Sequence, residues 1–151
     1  MQFNAPFKLG PFTVDATGQI APTEPLPAPA FVFRQSGRLV HAVLDRADSG
    51  GGRLALQLIL ARVHSTAGSP DETVRPRSFA LIHWLMKALP AGWRLGLLAD
   101  HRVSLEADRC IGLPITAAAL LTEITCFVLE LAPYLELLDS SGLTVSERAV
   151  A

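Results

Sequence analysis

The sequence is short of charge. Asp, Glu, Lys and Arg make up 18% of its 151 residues, and 13 basic side chains nearly balance 14 acidic ones. A dedicated nucleic-acid binder presents a basic excess that neutralises phosphates, so this balance argues against that class of partner. Half of the residues are hydrophobic, which excludes a disordered chain, and the length suits one domain with a sizeable core.

Cysteine is scarce too, and no catalytic motif is present. Cys110 and Cys126 lie among apolar neighbours without CxxC spacing, so we expect buried thiols and neither a disulfide nor a metal site. The histidines stand at no metal-ligand spacing from one another or from a cysteine; they are His41, His64, His83 and His101. The sequence also lacks a Walker A loop and a Gly-x-Ser-x-Gly elbow. We therefore expect no catalytic residue, no cofactor and no metal.

A long hydrophobic run free of charge is absent as well. The best candidate, Ile111 to Leu129, contains Pro114 and a central carboxylate, Glu123. A central carboxylate opposes insertion into a bilayer, so we expect no membrane span. Residues 1–6 show neither the basic nor the apolar region of a secretion signal, and the expected location is the cytoplasm.

What is present in the first half is the pattern of strands. Residues 12–20 resemble a short hairpin, and residues 31–34 and 38–44 flank a connection that contains Gly37. Residues 53–63 alternate with a period of two. This period places four leucines on one face; they are Leu54, Leu56, Leu58 and Leu60.

The period then changes to that of helices. Ser78 is the predicted N-cap of a short amphipathic helix; its expected apolar stripe is Phe79, Ile82, Met86 and Leu89. A one-sided antiparallel hairpin follows over residues 93–108. A long helix then begins after Thr116, and Pro133 is expected to kink or break it. Its predicted inner stripe is Leu120, Ile124, Phe127, Val128 and Leu131.

This order of elements predicts an α+β two-layer sandwich. An antiparallel sheet of about five to six strands packs against two helices in it. We expect one domain over residues 1–139, with a proline-rich connector at 21–30 between the N-terminal hairpin and the main sheet. Residues 140–151 have no periodicity and are predicted to form a flexible tail.

The second half resembles a known group. The hairpin from Trp93, the segment Cys110-Ile-Gly-Leu-Pro-Ile-Thr116, and the following helix with Leu120-Leu121 and Phe127-Val128 are similar to the type III secretion chaperone-like fold. The likeness spans residues 31–138 in topology and 93–135 in motif. It implies a small, usually dimeric α+β domain. The secretion chaperones themselves are usually acidic and begin with a helix, whereas this chain is neutral and begins with prolines and predicted strands.

The apolar surplus points to an interface. Ile59 lies on the second face of its strand, and the last helix carries leucines beyond its inner stripe. Leucines on two sides of a helix indicate that both sides are buried. The interface candidates are Ile59, Leu121, Leu129, Leu135 and Leu138. These residues predict a non-enzymatic protein-binding or chaperone-like domain that forms a homodimer through the last helix, the exposed sheet face, or both, and that could take a protein or peptide partner.

Two other functions remain open at this stage. A small enzyme or ligand-binding domain would need a site built from His83, Trp84, Asp100 and His101, and it predicts that at least two of these converge in one pocket. A structural subunit of a phage or secretion assembly would also suit a small neutral domain with a proline-rich arm.

Overall fold

The α+β class is confirmed by a computed structural model, which describes residues 5–10, 12–22, 30–46, 50–63 and 73–143. Two antiparallel sheets and two helices occupy this part of the chain. The elements are β1 (Phe7–Leu9), β2 (Phe12–Val14), β3 (Gln19–Pro22), β4 (Ala30–Gln35), β5 (Arg38–Arg46), β6 (Gly52–Arg62), α1 (Val74–Ala88), β7 (Trp93–Leu97), β8 (Arg102–Ile111), β9 (Ile115–Thr116) and α2 (Ala117–Ser140).

The main sheet has five strands in the order β4-β5-β6-β8-β7. Its central strand is β6, which pairs with β5 on one side and with β8 on the other. The leucines at alternate positions of this strand point to one face. Those four residues, Leu54, Leu56, Leu58 and Leu60, are at most 1% exposed, as the alternation predicts. The pairing of β6 with β8 shifts between Ile59 and Ala61. The shift inserts one residue, so Leu60 and Ala61 are both buried although they are neighbours.

A tight turn joins β4 to β5. The central residues are Ser36 and Gly37, and both have positive φ values, 47° and 76°. Two positive values are typical of the hairpin turn that matches the right-handed twist of antiparallel strands. Glycine therefore fits the second position, as the sequence predicts.

The N-terminal hairpin belongs to a second sheet, with the order β1-β2-β3-β9. Strand β9 lies immediately before α2, so this sheet connects the N-terminal hairpin to the start of that helix. Phe12 packs edge-on against Phe31 of β4, at 6.0 Å between ring centroids. The small sheet therefore shares the hydrophobic core of the main sheet.

Two predicted boundaries are corrected. Residues 21, 22 and 30 are strand, so only 23–29 of the expected connector fall outside the described residues. The predicted tail also begins too early, because Ser140 ends α2 and Leu143, at 2% exposed, is part of the core. Residues 144–151 lie outside the described part.

The start and the stripe of α1 differ from the prediction. The helix begins at Val74, because Pro76 occupies its first turn, where a missing N–H costs no hydrogen bond. Ser78 is therefore a buried helical residue and not the N-cap. The buried side is formed by Ile82 and Leu85, whereas Phe79 and Met86 are 37% and 55% exposed.

The start of α2 is confirmed, and a break at its proline is not found. The Thr116 hydroxyl accepts a hydrogen bond from the Ala119 N–H at 3.1 Å. The helix continues through Pro133 to Ser140. Leu131 and Leu135, on either side of this proline, are both buried in the core and hold the helix against the sheet. The predicted inner stripe is confirmed by the burial of Leu120, Phe127 and Leu131.

Both helices cover the same face of the main sheet. The Tyr134 hydroxyl donates to the Ala88 carbonyl at 3.0 Å, which joins α2 to the end of α1. The Trp93 ring on β7 packs against Phe127 and Tyr134 of α2, with centroid distances of 5.2 Å and 6.0 Å. The described residues therefore cover one face of the main sheet and leave its other face uncovered.

A buried arginine ties the bulged strand to the end of α2. Arg38 is 5% exposed, and its Nε donates to the Leu60 carbonyl at 2.8 Å. Its Nη2 donates to the Asp139 carboxylate at 2.6 Å, and its Nη1 to the Ser36 carbonyl at 3.2 Å. One side chain therefore satisfies acceptors on a turn, a strand and a helix.

Replacing Arg38 with leucine is expected to lower the free energy of unfolding by about 2–3 kcal/mol, because the buried Leu60 carbonyl loses its side-chain donor. Urea denaturation measures this change. Arg53→Leu is the matched control: its ion pair with Asp45 is long, at 3.9 Å, and half exposed, so we expect less than about 1 kcal/mol. Equal losses in the two variants would contradict the assignment.

Candidate functional site

The described residues contain no group of three or more His, Cys, Asp and Glu side chains that could hold a metal ion. His41, His83 and His101 are exposed and lie on three different elements. His64 lies outside the described residues. Both cysteines are free, but only Cys126 is half-buried. Cys110 is exposed on β8, so the expectation of a buried thiol is wrong there.

The residues of the alternative site, His83, Trp84, Asp100 and His101, lie on α1 and in the β7–β8 turn. All four residues are exposed. A cleft of about 340 Å³ is lined by Arg77, Ser78, Leu81, Ser141 and Leu143, and it contains none of the four.

The Asp100 carboxylate has a local structural role. Desolvation acts to raise its pKa, but hydrogen bonds from the Arg102 N–H and guanidinium, with the charge of that guanidinium, lower it overall. The Arg102 side chain pairs directly with this carboxylate. His101 has a φ of 65° in the same turn. These contacts engage the Asp100 carboxylate with Arg102 and stabilise the β7–β8 turn.

Ion pairs join one flank of α2 to β8. Arg109 of β8 lies on the helix-covered face and is 20% exposed. Its Nε donates to Glu123 at 2.9 Å and its Nη1 to Glu130 at 3.1 Å. Partial burial acts to lower the pKa of Arg109, but the hydrogen bonds to both carboxylates outweigh it and raise the pKa. The two glutamates therefore stay on the flank of α2 that faces β8.

The opposite side of α2 is uncharged over its first four turns. We call it the α2 face; its residues are Ala118, Leu121, Thr122, Thr125 and Leu129, which are exposed, and Ala132, which is half-buried. Leu121 is 63% exposed and Leu129 is 67% exposed. The solvent side of a surface helix normally carries charged residues, so an apolar stripe here indicates a contact surface.

The polar atoms on the α2 face are already hydrogen-bonded within the helix. The Thr122 hydroxyl donates to the Ala118 carbonyl at 2.9 Å, and the Thr125 hydroxyl donates to the Leu121 carbonyl at 2.8 Å. This back-bonding leaves the threonine methyl groups as the accessible part of each side chain. A partner could cover the α2 face without leaving a hydroxyl donor unpaired.

Two of the interface candidates on α2 are corrected. Leu135 and Leu138 are 3% and 1% exposed within the monomer, and both belong to its core. The helix continues through Pro133 with an unchanged period, which turns these leucines toward the sheet. They are therefore not accessible to a partner, whereas Leu121 and Leu129 are.

Ile59 lies on a second accessible surface, the open sheet face. This face is the side of the main sheet that no described element covers. Val32 and Leu39 on it are 51% and 44% exposed, and Ile59 is half-buried. Strand pairing places Val32 beside His41, His41 beside Gln57 and Gln57 beside Glu106. This row runs from apolar to charged across the sheet, so the open sheet face is mixed in character.

By length and apolar composition alone, α2 could cross a membrane. A core helix of a water-soluble protein meets the same criteria, and α2 contributes five buried residues to this core: Leu120, Phe127, Leu131, Leu135 and Leu138.

Comparison with known proteins supplies no relative: no family profile, curated protein or solved structure matches the chain.

The division of α2 into a core side and a solvent side can be tested with one substitution at two places. Leu135→Ala is expected to lower the free energy of unfolding by about 2–5 kcal/mol, because it leaves a cavity in the core. Leu129→Ala removes the same atoms from an exposed position, and we expect a change within about 0.5 kcal/mol.

Both variants are unfolded with urea at low protein concentration, so that association does not contribute to the measured stability. A large loss for Leu129→Ala under these conditions would show that this side chain is packed in the monomer, and would remove it from the α2 face.

Proposed function

We propose that the chain is a non-enzymatic protein-binding domain, chaperone-like in its architecture, that self-associates. One observation carries the proposal: over its first four turns α2 has an uncharged outer face, on which Leu121 and Leu129 are 63% and 67% exposed. The solvent side of a surface helix in a monomeric protein usually carries charged residues. Covering the two leucines removes apolar area from water, which is the main favourable contribution to protein association.

The size of this surface sets the expected affinity. The helix segment from Ala118 to Ala132 is about 20 Å long, and a helix is about 10 Å wide. Stable complexes bury roughly 800 Å² on each partner, more than this strip alone provides. Association through it should therefore be in the micromolar range or require flanking contacts.

The resemblance to the type III secretion chaperone-like group supports the proposal. The strands, helix, hairpin and final helix occur here in the order that this resemblance implies. Dimers are usual in that group. A role in secretion is not part of the proposal, because the uncharged α2 face favours an apolar partner without identifying a client.

Self-association is tested by sedimentation equilibrium over a range of protein concentrations. We expect the wild-type chain to shift from monomer to dimer in the micromolar range. The double variant Leu121→Glu with Leu129→Glu should remain monomeric, because pairing would bury four carboxylates among apolar side chains.

Met86→Glu is the matched control, since Met86 is an exposed apolar residue of the other helix, at 55% exposure. We expect this variant to dimerise like the wild-type protein. A wild-type protein that stays monomeric at every concentration would contradict the proposal.

A further inference from the structure

We infer that the occupant of the α2 face is the α2 face of a second copy, with the two helices antiparallel and Thr125 on the two-fold axis. This inference rests on the proposed function and specifies its geometry. Five of the six residues of the α2 face, Ala118, Leu121, Thr125, Leu129 and Ala132, are separated by three, four, four and three positions. These five therefore read the same in both directions from Thr125; the sixth, Thr122, has the half-buried Val128 as its counterpart.

The symmetry also holds around the helix. With about 100° of rotation per residue, Leu121 and Leu129 lie roughly 40° to opposite sides of Thr125, and the two alanines lie roughly 20° to opposite sides. A two-fold axis through Thr125, perpendicular to the helix, turns the two faces toward each other and reverses the direction along the helix, but it keeps the lateral side. It therefore brings Leu121 to the height of the partner's Leu129, diagonally across the contact, and Ala118 to the height of the partner's Ala132. Such a contact is self-complementary, as a closed dimer requires.

The side-chain sizes fit this arrangement. Leucine pairs lie on either side of the axis, and the small alanines at both ends allow the backbones to approach. Thr125 meets its own copy at the centre, where its hydroxyl is already donated to the Leu121 carbonyl at 2.8 Å. The centre of the contact therefore needs no polar partner.

Charge favours a second copy in the antiparallel direction. The α2 helix has no acidic residue in its first turn and no basic residue in its last turn, so its own sequence does not compensate its dipole. Among the described residues, no ion pair involves Glu136, which continues the stripe toward the C-terminus. Antiparallel pairing about Thr125 places Glu136 about 3 Å along the axis from the partner's N-cap. A carboxylate at the positive end of a helix is stabilising.

A parallel pair would have the opposite effect. It would align the two helix dipoles in the same direction and bring Glu136 next to the partner's Glu136, which is a repulsive contact. The acidic residues of α2 therefore discriminate between the two directions, although none of them belongs to the apolar stripe.

Disulfide cross-linking tests the geometry on the full chain. In a background with Cys110→Ser and Cys126→Ser, Thr125→Cys should convert from monomer to a disulfide-linked dimer under mild oxidation, because only a residue on the axis meets its own copy. Leu121→Cys is the control: two copies of this residue would be about 12 Å apart along the axis, whereas a disulfide requires Cα atoms within about 7 Å. Leu121→Cys should stay unlinked alone and form a linked heterodimer with Leu129→Cys.

Each other outcome overturns the inference. Efficient linking of Leu121→Cys to itself would indicate a parallel pair. A wild-type dimer in sedimentation with no linking of Thr125→Cys would reject this geometry and leave the proposed function standing. A wild-type monomer would reject both. Retention of that monomer on phosphatidylcholine–phosphatidylglycerol vesicles, lost in the Leu121→Glu/Leu129→Glu variant, would assign the α2 face to a lipid surface instead.

Discussion

The ion pairs of Arg109 with Glu123 and Glu130 hold one flank of α2 against β8, and the orientation of the other α2 surfaces depends on this contact. A charged group at the boundary of a core is stable there only when it is paired, so the guanidinium on β8 attracts two carboxylates to one flank of α2. Those two contacts, seven residues apart, oppose rotation of the helix about its axis. The buried stripe then faces β6 and β8, and the uncharged stripe faces outward.

The second constraint is that both helices cover the same face of the main sheet. The Leu-rich side of β6 is buried under them, while Val32, Leu39 and Ile59 remain on the other side. The small sheet does not cover that side either, because its Phe12 packs with Phe31 against the helix-covered core. The described residues therefore leave two different surfaces accessible: a narrow helical stripe without charge and a broad sheet surface of mixed character.

Much of this architecture could be predicted from periodicity. The alternation over residues 53–63 identified the central strand, and Thr116 identified the start of α2, because strand pleat and helix capping act over a few residues. The errors have equally local causes. Pro76 precedes the predicted N-cap, Ser78, but a proline is tolerated in a first helical turn, and the earlier start of α1 changes which residues form its buried side. A kink or break at Pro133 separates Leu135 and Leu138 from the period of the inner stripe, so the sequence places them at an interface, whereas they are buried in the core.

Contacts between distant segments could not be predicted in the same way. Nothing in the sequence joins Arg38 to Leu60 and Asp139, because this contact depends on a bulge in β6 and on the end of α2. The sequence contains part of the information for Arg109. Glu123 and Glu130 lie seven residues apart on one side of a largely apolar helix, and this spacing predicts a cation opposite them. The sequence also contains the symmetric spacing of the α2 face, but the spacing can be recognised only after burial shows which leucines point outward.

The open sheet face acquires a further property if α2 pairs as inferred. The helices and the open sheet face lie on opposite sides of the domain, so a dimer formed through α2 would carry two open faces directed away from each other. The assembly would be bivalent, with identical sites separated by the thickness of two domains. A partner with two linked copies of a binding segment would then gain from high effective concentration, whereas a partner with one segment would not.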